Sequence, residues 1–154
     1  MKKITFAAGC FWGVQQKFDK INGVISTKVG YCGGHKEDPT YEEVCSDTTG
    51  HAECLEIEFD ETLISFEELL EKFWSIHNPT TLNRQGFDTG SQYRSAIFYY
   101  DEAQKEIALK AKDEVNNSKK YKNPVVTEIM PITKFWEAEK YHQHYYDKTG
   151  RSGC

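Results

Sequence analysis

The chain has no C-x-x-C pair, no internal repeat, no Pro/Ser-rich linker and no clustered run of basic residues. Without C-x-x-C the usual zinc knuckle is missing. Without a basic stripe there is no footprint for nucleic acid: Lys plus Arg is 19, Asp plus Glu is 24, and the net charge is −5. The longest uncharged stretch near either end, Ile4 to Gln16, falls far short of the roughly 20 apolar residues of a membrane-spanning helix, so no membrane association is expected. Lys2-Lys3 followed by the six residues Ile4–Gly9 and then Cys10 has the outline of a lipoprotein signal. Its apolar part is shorter than the roughly 7–15 residues of an h-region, and that reading is set aside.

What the chain does hold is 154 residues, enough for one domain that buries roughly 70% of its unfolded surface. Its five cysteines are Cys10, Cys32, Cys45, Cys54 and Cys154, an odd number that cannot pair off completely. A secreted disulfide scaffold is shorter and denser in cysteine. The expectation is a reducing cytoplasm, with one or two cysteines doing chemistry.

Periodicity divides the chain into short elements. Ile4–Ala8 reads as a buried strand broken by Gly9, and Phe11, Val14 and Phe18 mark one face of a helix ending near Lys20. Val24–Tyr31 reads as a second strand and Cys32–Gly50 as a long loop. In His51–Asp60, Leu55, Ile57 and Phe59 alternate with Glu56 and Glu58, a half-buried strand. Ser65-Phe66-Glu67-Glu68 is a capping box that opens a helix carrying Phe66, Leu69, Leu70, Phe73 and Trp74 on one face. Thr80–Tyr93 reads as a second long loop, in which Gly86–Gly90 is a turn. A strand at Ser95–Tyr100, a helix from Asp101 to about Asn117, a strand at Val125–Met130 and a short helix over Glu137–Tyr145 complete the expectation. Strands and helices mix without regular alternation, which points to an α+β fold: a two-layer α/β sandwich on a central mixed, mainly antiparallel sheet.

Two residues stand out chemically. Cys10 lies where a strand ends and a helix begins, and backbone N–H groups there stabilise a thiolate, the nucleophilic form of cysteine. A thiol in that place is either reactive or an inert core sulfur, and its neighbours favour the first. Trp12 lies off the apolar stripe, and a large aromatic off the core face suits a ligand surface, whereas Phe11 also fits plain core packing. Glu53 shares the parity of Leu55, Ile57 and Phe59 and so points toward the apolar side of its strand. Burial disfavours the charged form and makes it a candidate general acid, unless it sits at a frayed strand start in water. The two loops carry Tyr41, Asp88 and Tyr93, which taken alone read as surface loop residues; phenolic hydroxyls donate hydrogen bonds without carrying charge. Cys32 with His35, and His51 with Cys54, offer zinc-type donors, but Cys54 points away from Glu53. His142 and His144 read as helix-surface residues or as members of a local polar network.

Gly9-Cys10-Phe11-Trp12-Gly13 resembles the signature of the peptide methionine sulfoxide reductase A family. Gly30–Gly34, Pro39–Cys45, Thr49–Glu53, Asn83–Gly86, Gln92–Ser95 and Phe135–Gln143 resemble further motifs of that family, in order, over about Phe6 to Tyr145. The resemblance implies a single catalytic domain over 1–154 with a mobile C-terminal tail at about 147–154. It implies that Cys10 attacks the sulfur of an S-epimer methionine sulfoxide, free or in peptides and proteins, while Phe11 and Trp12 hold its methyl group. Glu53 falls on the catalytic glutamate, and Tyr41, Asp88 and Tyr93 on residues that bind or polarise the oxygen. Cys10 is left as a sulfenic acid that a distal cysteine, Cys154, resolves to a disulfide, which a thioredoxin-type donor reduces. No metal and no cofactor is implied, and a monomer is expected. A Cys/His zinc module and a Cys10 peroxidase are the alternatives. Phe87, where the family more often has a small or polar residue, and Cys32, in place of a usual Ala or Thr, depart from the pattern.

Overall fold

The computed structural model describes residues 1–150. In chain order the elements are β1 (Lys2–Ala8), α1 (Phe11–Asp19), β2 (Val24–Cys32), α2 (Tyr41–Cys45), β3 (Ala52–Phe59) and α3 (Phe66–Ser75). They continue with β4 (Arg84–Gln85), β5 (Asp88–Thr89), β6 (Ser95–Tyr99), α4 (Glu102–Asn117), β7 (Glu128–Pro131), β8 (Trp136–Glu137) and α5 (Tyr145–Thr149). Six strands form one sheet in the order β7-β6-β1-β3-β2-β8; only the β6–β7 pair is parallel. This is the expected α+β sandwich on a mixed, mainly antiparallel sheet.

The alternation in β3 decides which face is covered. Ile4 and Phe6 of β1 and Leu55, Ile57 and Phe59 of β3 point the same way, and α1 and α3 bury Phe18, Leu69 and Phe73 against them. The Phe6 and Phe73 rings stack at 4.7 Å. Each side chain buried there contributes roughly 1.5–3 kcal/mol. The Ser65–Glu68 capping box forms in full and starts α3 where the sequence places it. Asp101 caps α4 by accepting from the Gln104 amide at 2.8 Å, and the Gln104 side chain fastens that helix start to the Lys3 carbonyl and the Tyr100 amide. The opposite face of the sheet carries a smaller core of Ala7, Cys32, Ala52, Cys54, Ala96 and Phe98.

Three expectations about local structure need correction. The Cys32–Gly50 segment is not all loop: Thr40 and Glu43 form a capping box, and α2 follows. The strand expected at Val125–Met130 is shifted to Glu128–Pro131, where it pairs with β6. The helix expected over Glu137–Tyr145 does not form. Trp136 and Glu137 instead extend the sheet beside β2, Lys140–His142 is a single 3-10 turn, and His144 takes a left-handed conformation at φ 54°. The competing force is the open edge of β2. Gln143 accepts from the Val29 amide and donates to its carbonyl, both at 2.9 Å, pairing an edge that a helix would leave bare. The helix that follows, α5, covers residues 147–149 of the expected tail; Arg151–Cys154 lie outside the described residues.

Candidate active site

Cys10 is the residue that caps α1. Gly9 before it turns the chain from β1 into the helix at φ 95°, a conformation that a side chain would strain, and an added Cβ would stand 3.0 Å from Gln85. The half-buried Cys10 thus sits at the positive end of α1. The amide of the next residue, Phe11, donates to Glu53 Oε1 at 3.2 Å, across from α1 to β3. Glu53 is 1% exposed, so the strand-start reading with water around it does not hold. The thiol, one residue from the amide that holds this buried carboxyl, faces a place that the carboxyl itself does not line.

That place is a cavity of about 610 Å3, whose walls include Cys10, Trp12, Tyr41, Asp88, Tyr93 and Tyr146. Five of the expected site residues line it together. Phe11 does not: it is 1% exposed and lies in the core behind the wall, its ring 6.2 Å from that of Tyr41. Asp88 is carried by the β4–β5 hairpin, which is tied down by bonds between the Gln85 side chain and the backbone of Asn78 at 3.0 and 2.6 Å. Phe87, at the tip of that hairpin, is fully exposed on the rim of the cavity. Burial above all pushes the phenols of Tyr41 and Tyr93 well above their ordinary range. Both stay protonated donors at neutral pH.

The sequence assigned no role to Tyr31, Glu139, His142 or Tyr145, and these form the support. Glu139 accepts from the Tyr31 hydroxyl at 2.8 Å and the Tyr41 amide at 3.0 Å. Burial works to raise its carboxyl, but those bonds together outweigh it and hold the group below the usual range. His142, 1% exposed, accepts from Trp12 Nε1 at 2.9 Å through Nδ1, and burial pushes its pKa down. Tyr145 stacks on Trp12 with ring centres 4.1 Å apart. His142 is thus part of the polar network rather than a surface residue, while His144 bonds Asp19 at 2.8 Å. Glu139 and His142 lie within the Phe135–Gln143 motif and Tyr31 within Gly30–Gly34, so position was legible but role was not.

Three of the four donors weighed for zinc have partners of their own. His51 Nδ1 accepts from the Gly34 amide at 3.0 Å, and Nε2 bonds the Lys36 carbonyl at 2.7 Å. Cys32 and Cys54 lie on the far face of the sheet from the cavity. Cys45 is exposed on α2. Cys154 lies outside the described residues.

The model of the peptide methionine sulfoxide reductase family matches residues 2–154. A Methanosarcina acetivorans protein named peptide methionine sulfoxide reductase MsrA is 54% identical over 150 residues, covering 97% of this chain and 80% of the relative. Among solved structures, reduced Mxr1 from Saccharomyces cerevisiae has a TM-score of 0.92 at 38% identity, covering 99% of this chain and 88% of that one. Mxr1 in complex with Trx2 matches at a TM-score of 0.67 and 29% identity, over 94% and 84% of the two chains. This chain belongs to the peptide methionine sulfoxide reductase family.

Proposed function

We propose that this enzyme reduces methionine sulfoxide, free and within peptides and oxidised proteins, to methionine, and so repairs oxidative damage. The observation that carries the reading is the Phe11–Glu53 bond, which holds a buried carboxyl one residue from the thiol that lines an aromatic cavity. Family membership supplies the substrate class, and selectivity for the S epimer rests on the family likeness alone.

In the proposed mechanism the Cys10 thiolate, favoured by the α1 N-terminus, attacks the sulfoxide sulfur. The S–O bond weakens, its oxygen becomes basic, and a protonated Glu53 gives it a proton. Two influences on Glu53 oppose each other: burial and a neighbouring thiolate favour the neutral acid, while the Phe11 amide favours the anion. The proposed step uses the neutral acid. Tyr41 and Tyr93 donate to the polarised oxygen, and Asp88 completes the polar wall beside them. Trp12 receives the S-methyl group, with Phe11 packed behind as the wall that keeps the indole's helix in place. The attack joins the two sulfurs as the protonated oxygen loosens; that oxygen then bonds the Cys10 sulfur, the sulfur–sulfur bond breaks with its electron pair going to the substrate sulfur, methionine leaves, and Cys10 carries the oxygen as a sulfenic acid.

A second thiol then attacks the Cys10 sulfur and releases water. Cys32 and Cys54 face away from the cavity, which leaves Cys45 and Cys154; we assign the step to Cys154 on the family likeness, in which a distal cysteine resolves the sulfenic acid. A thioredoxin-type dithiol returns the disulfide to thiols, a reading supported by the yeast relative's complex with Trx2. We further propose a monomer that works in a reducing compartment such as the cytoplasm, without metal or cofactor. Among the described residues no helix is long and apolar enough to cross a membrane. The test is turnover of a methionine sulfoxide peptide with dithiothreitol: the chain forms methionine and Cys10→Ser does not. Turnover by Cys10→Ser would overturn the reading. Rapid consumption of hydrogen peroxide without reduction of sulfoxide would favour the peroxidase instead.

A further inference from the structure

The two cysteines that the mechanism leaves idle lie against each other. Cys32 ends β2 and Cys54 lies on β3, and their Sγ atoms are 2.7 Å apart. The register pairs Gly30 with Cys54 and Cys32 with Ala52, so the cysteines are diagonal neighbours on one face of the sheet. Both are 0% exposed, in the small core of alanines and Phe98 that Ile132 and Phe135 cover. The residue pair between them, Tyr31 opposite Glu53, projects from the other face, where Tyr31 bonds Glu139 and Glu53 bonds the Phe11 amide.

We propose that Cys32 and Cys54 are a second redox pair, which peroxide-class oxidants close to a disulfide that staples β2 to β3 behind Glu53. The approach of the sulfurs carries the inference. A disulfide needs about 2.05 Å between them, so closure asks for a shift of roughly 0.7 Å. The chemistry balances with one hydrogen peroxide. One thiolate attacks a peroxide oxygen, the O–O bond breaks, and the sulfur becomes a sulfenic acid while the departing oxygen leaves as water. The second thiol attacks that sulfur and releases another water. The two sulfurs lose two electrons, and the peroxide gains them. Burial raises the Cys32 thiol well above its ordinary range, so closure is slow compared with oxidation of an exposed cysteine. The same burial shelters the closed bond from a protein reductant. Oxidation thus locks the two strands that carry Glu53 and Tyr31 without entering the catalytic cycle.

The test uses the full chain carrying Cys10→Ser and Cys45→Ser, in which only Cys32, Cys54 and Cys154 remain, so its outcome is independent of the reductase reading. The folded protein is exposed to hydrogen peroxide, then unfolded, alkylated with iodoacetamide and mapped by mass spectrometry. Expected is a cross-linked peptide joining Cys32 to Cys54, two hydrogens lighter than the separate thiols, reversed by dithiothreitol and lost in Cys32→Ala. The linked segment spans 22 residues, and the oxidised protein should melt roughly 5–10 °C higher than the reduced one. Both cysteines recovered alkylated, linkage of either to Cys154, oxidation to sulfinic acid or an unchanged melting point would overturn the proposal. Should the double variant fold poorly, the same map on the unsubstituted chain, cleaved after lysine to separate Cys10 from Cys32 and after glutamate to separate Cys45 from Cys54, distinguishes the same outcomes.

Discussion

The amide of Phe11, the residue after Cys10, is hydrogen-bonded to the Glu53 carboxyl at 3.2 Å, so the start of α1 and the middle of the sheet share one contact. Glu53→Gln keeps an oxygen for that amide and loses only the acidic proton. Its kcat is expected to fall roughly a hundredfold or more at neutral pH, the usual range for removal of a general acid, with little change in melting temperature. A near-normal rate would remove Glu53 from the acid role.

His142 holds Trp12 by its indole N–H at 2.9 Å. In His142→Phe the ring remains but the acceptor is gone, and a largely enclosed donor is left unsatisfied. The expected effect is a KM for methionine sulfoxide roughly five- to tenfold higher, about 1 kcal/mol, with kcat nearly kept. Steady-state kinetics separate the two: a fall in kcat alone would show that the bond does not position the substrate wall.

His77 gives the pH dependence of stability. It is largely buried, with Nδ1 on the Phe73 carbonyl and Nε2 on Ser95, both at 2.7 Å, and burial pushes its pKa down to about 4. The unfolded chain takes up this proton near pH 6.5, before the folded one does, so folding loses stability as pH falls from about 6.5 to about 4. The contribution is up to about 3 kcal/mol at neutral pH. Urea unfolding across that window should show the loss, and His77→Gln should flatten it; parallel curves for the two proteins would contradict the assignment.

Much of this arrangement is written in local pattern. The period-2 run of β3 places Glu53 on the covered face, and Gly9 followed by an apolar stripe places Cys10 at a helix start; both readings need only neighbours in sequence. Helix α2 has five residues, too few for a periodic signal, and its Thr40–Glu43 capping box is its one local sign. The region after Trp136 departs from its local pattern for a different reason. Its residues follow a helical spacing, but Gln143 and the short strand β8 satisfy the backbone of β2, a demand set by a segment more than a hundred residues away. Glu139 and His142 are likewise invisible as support, because their partners Tyr41 and Trp12 are distant in the chain.

Cys154→Ser tests the proposed resolving step. The variant should convert one equivalent of methionine sulfoxide and then stop with thioredoxin as the reductant. Undiminished cycling would move the step to another thiol, with Cys45 the nearest remaining candidate.

The fate of the sulfoxide oxygen bears most directly on the chemistry. In the Cys154→Ser protein, one equivalent of a methionine sulfoxide peptide followed by rapid acid quenching and peptide mapping should yield one methionine and a Cys10 peptide heavier by one oxygen atom. Methionine formed while Cys10 carries no oxygen, or formed equally well by Cys10→Ser, would contradict the account.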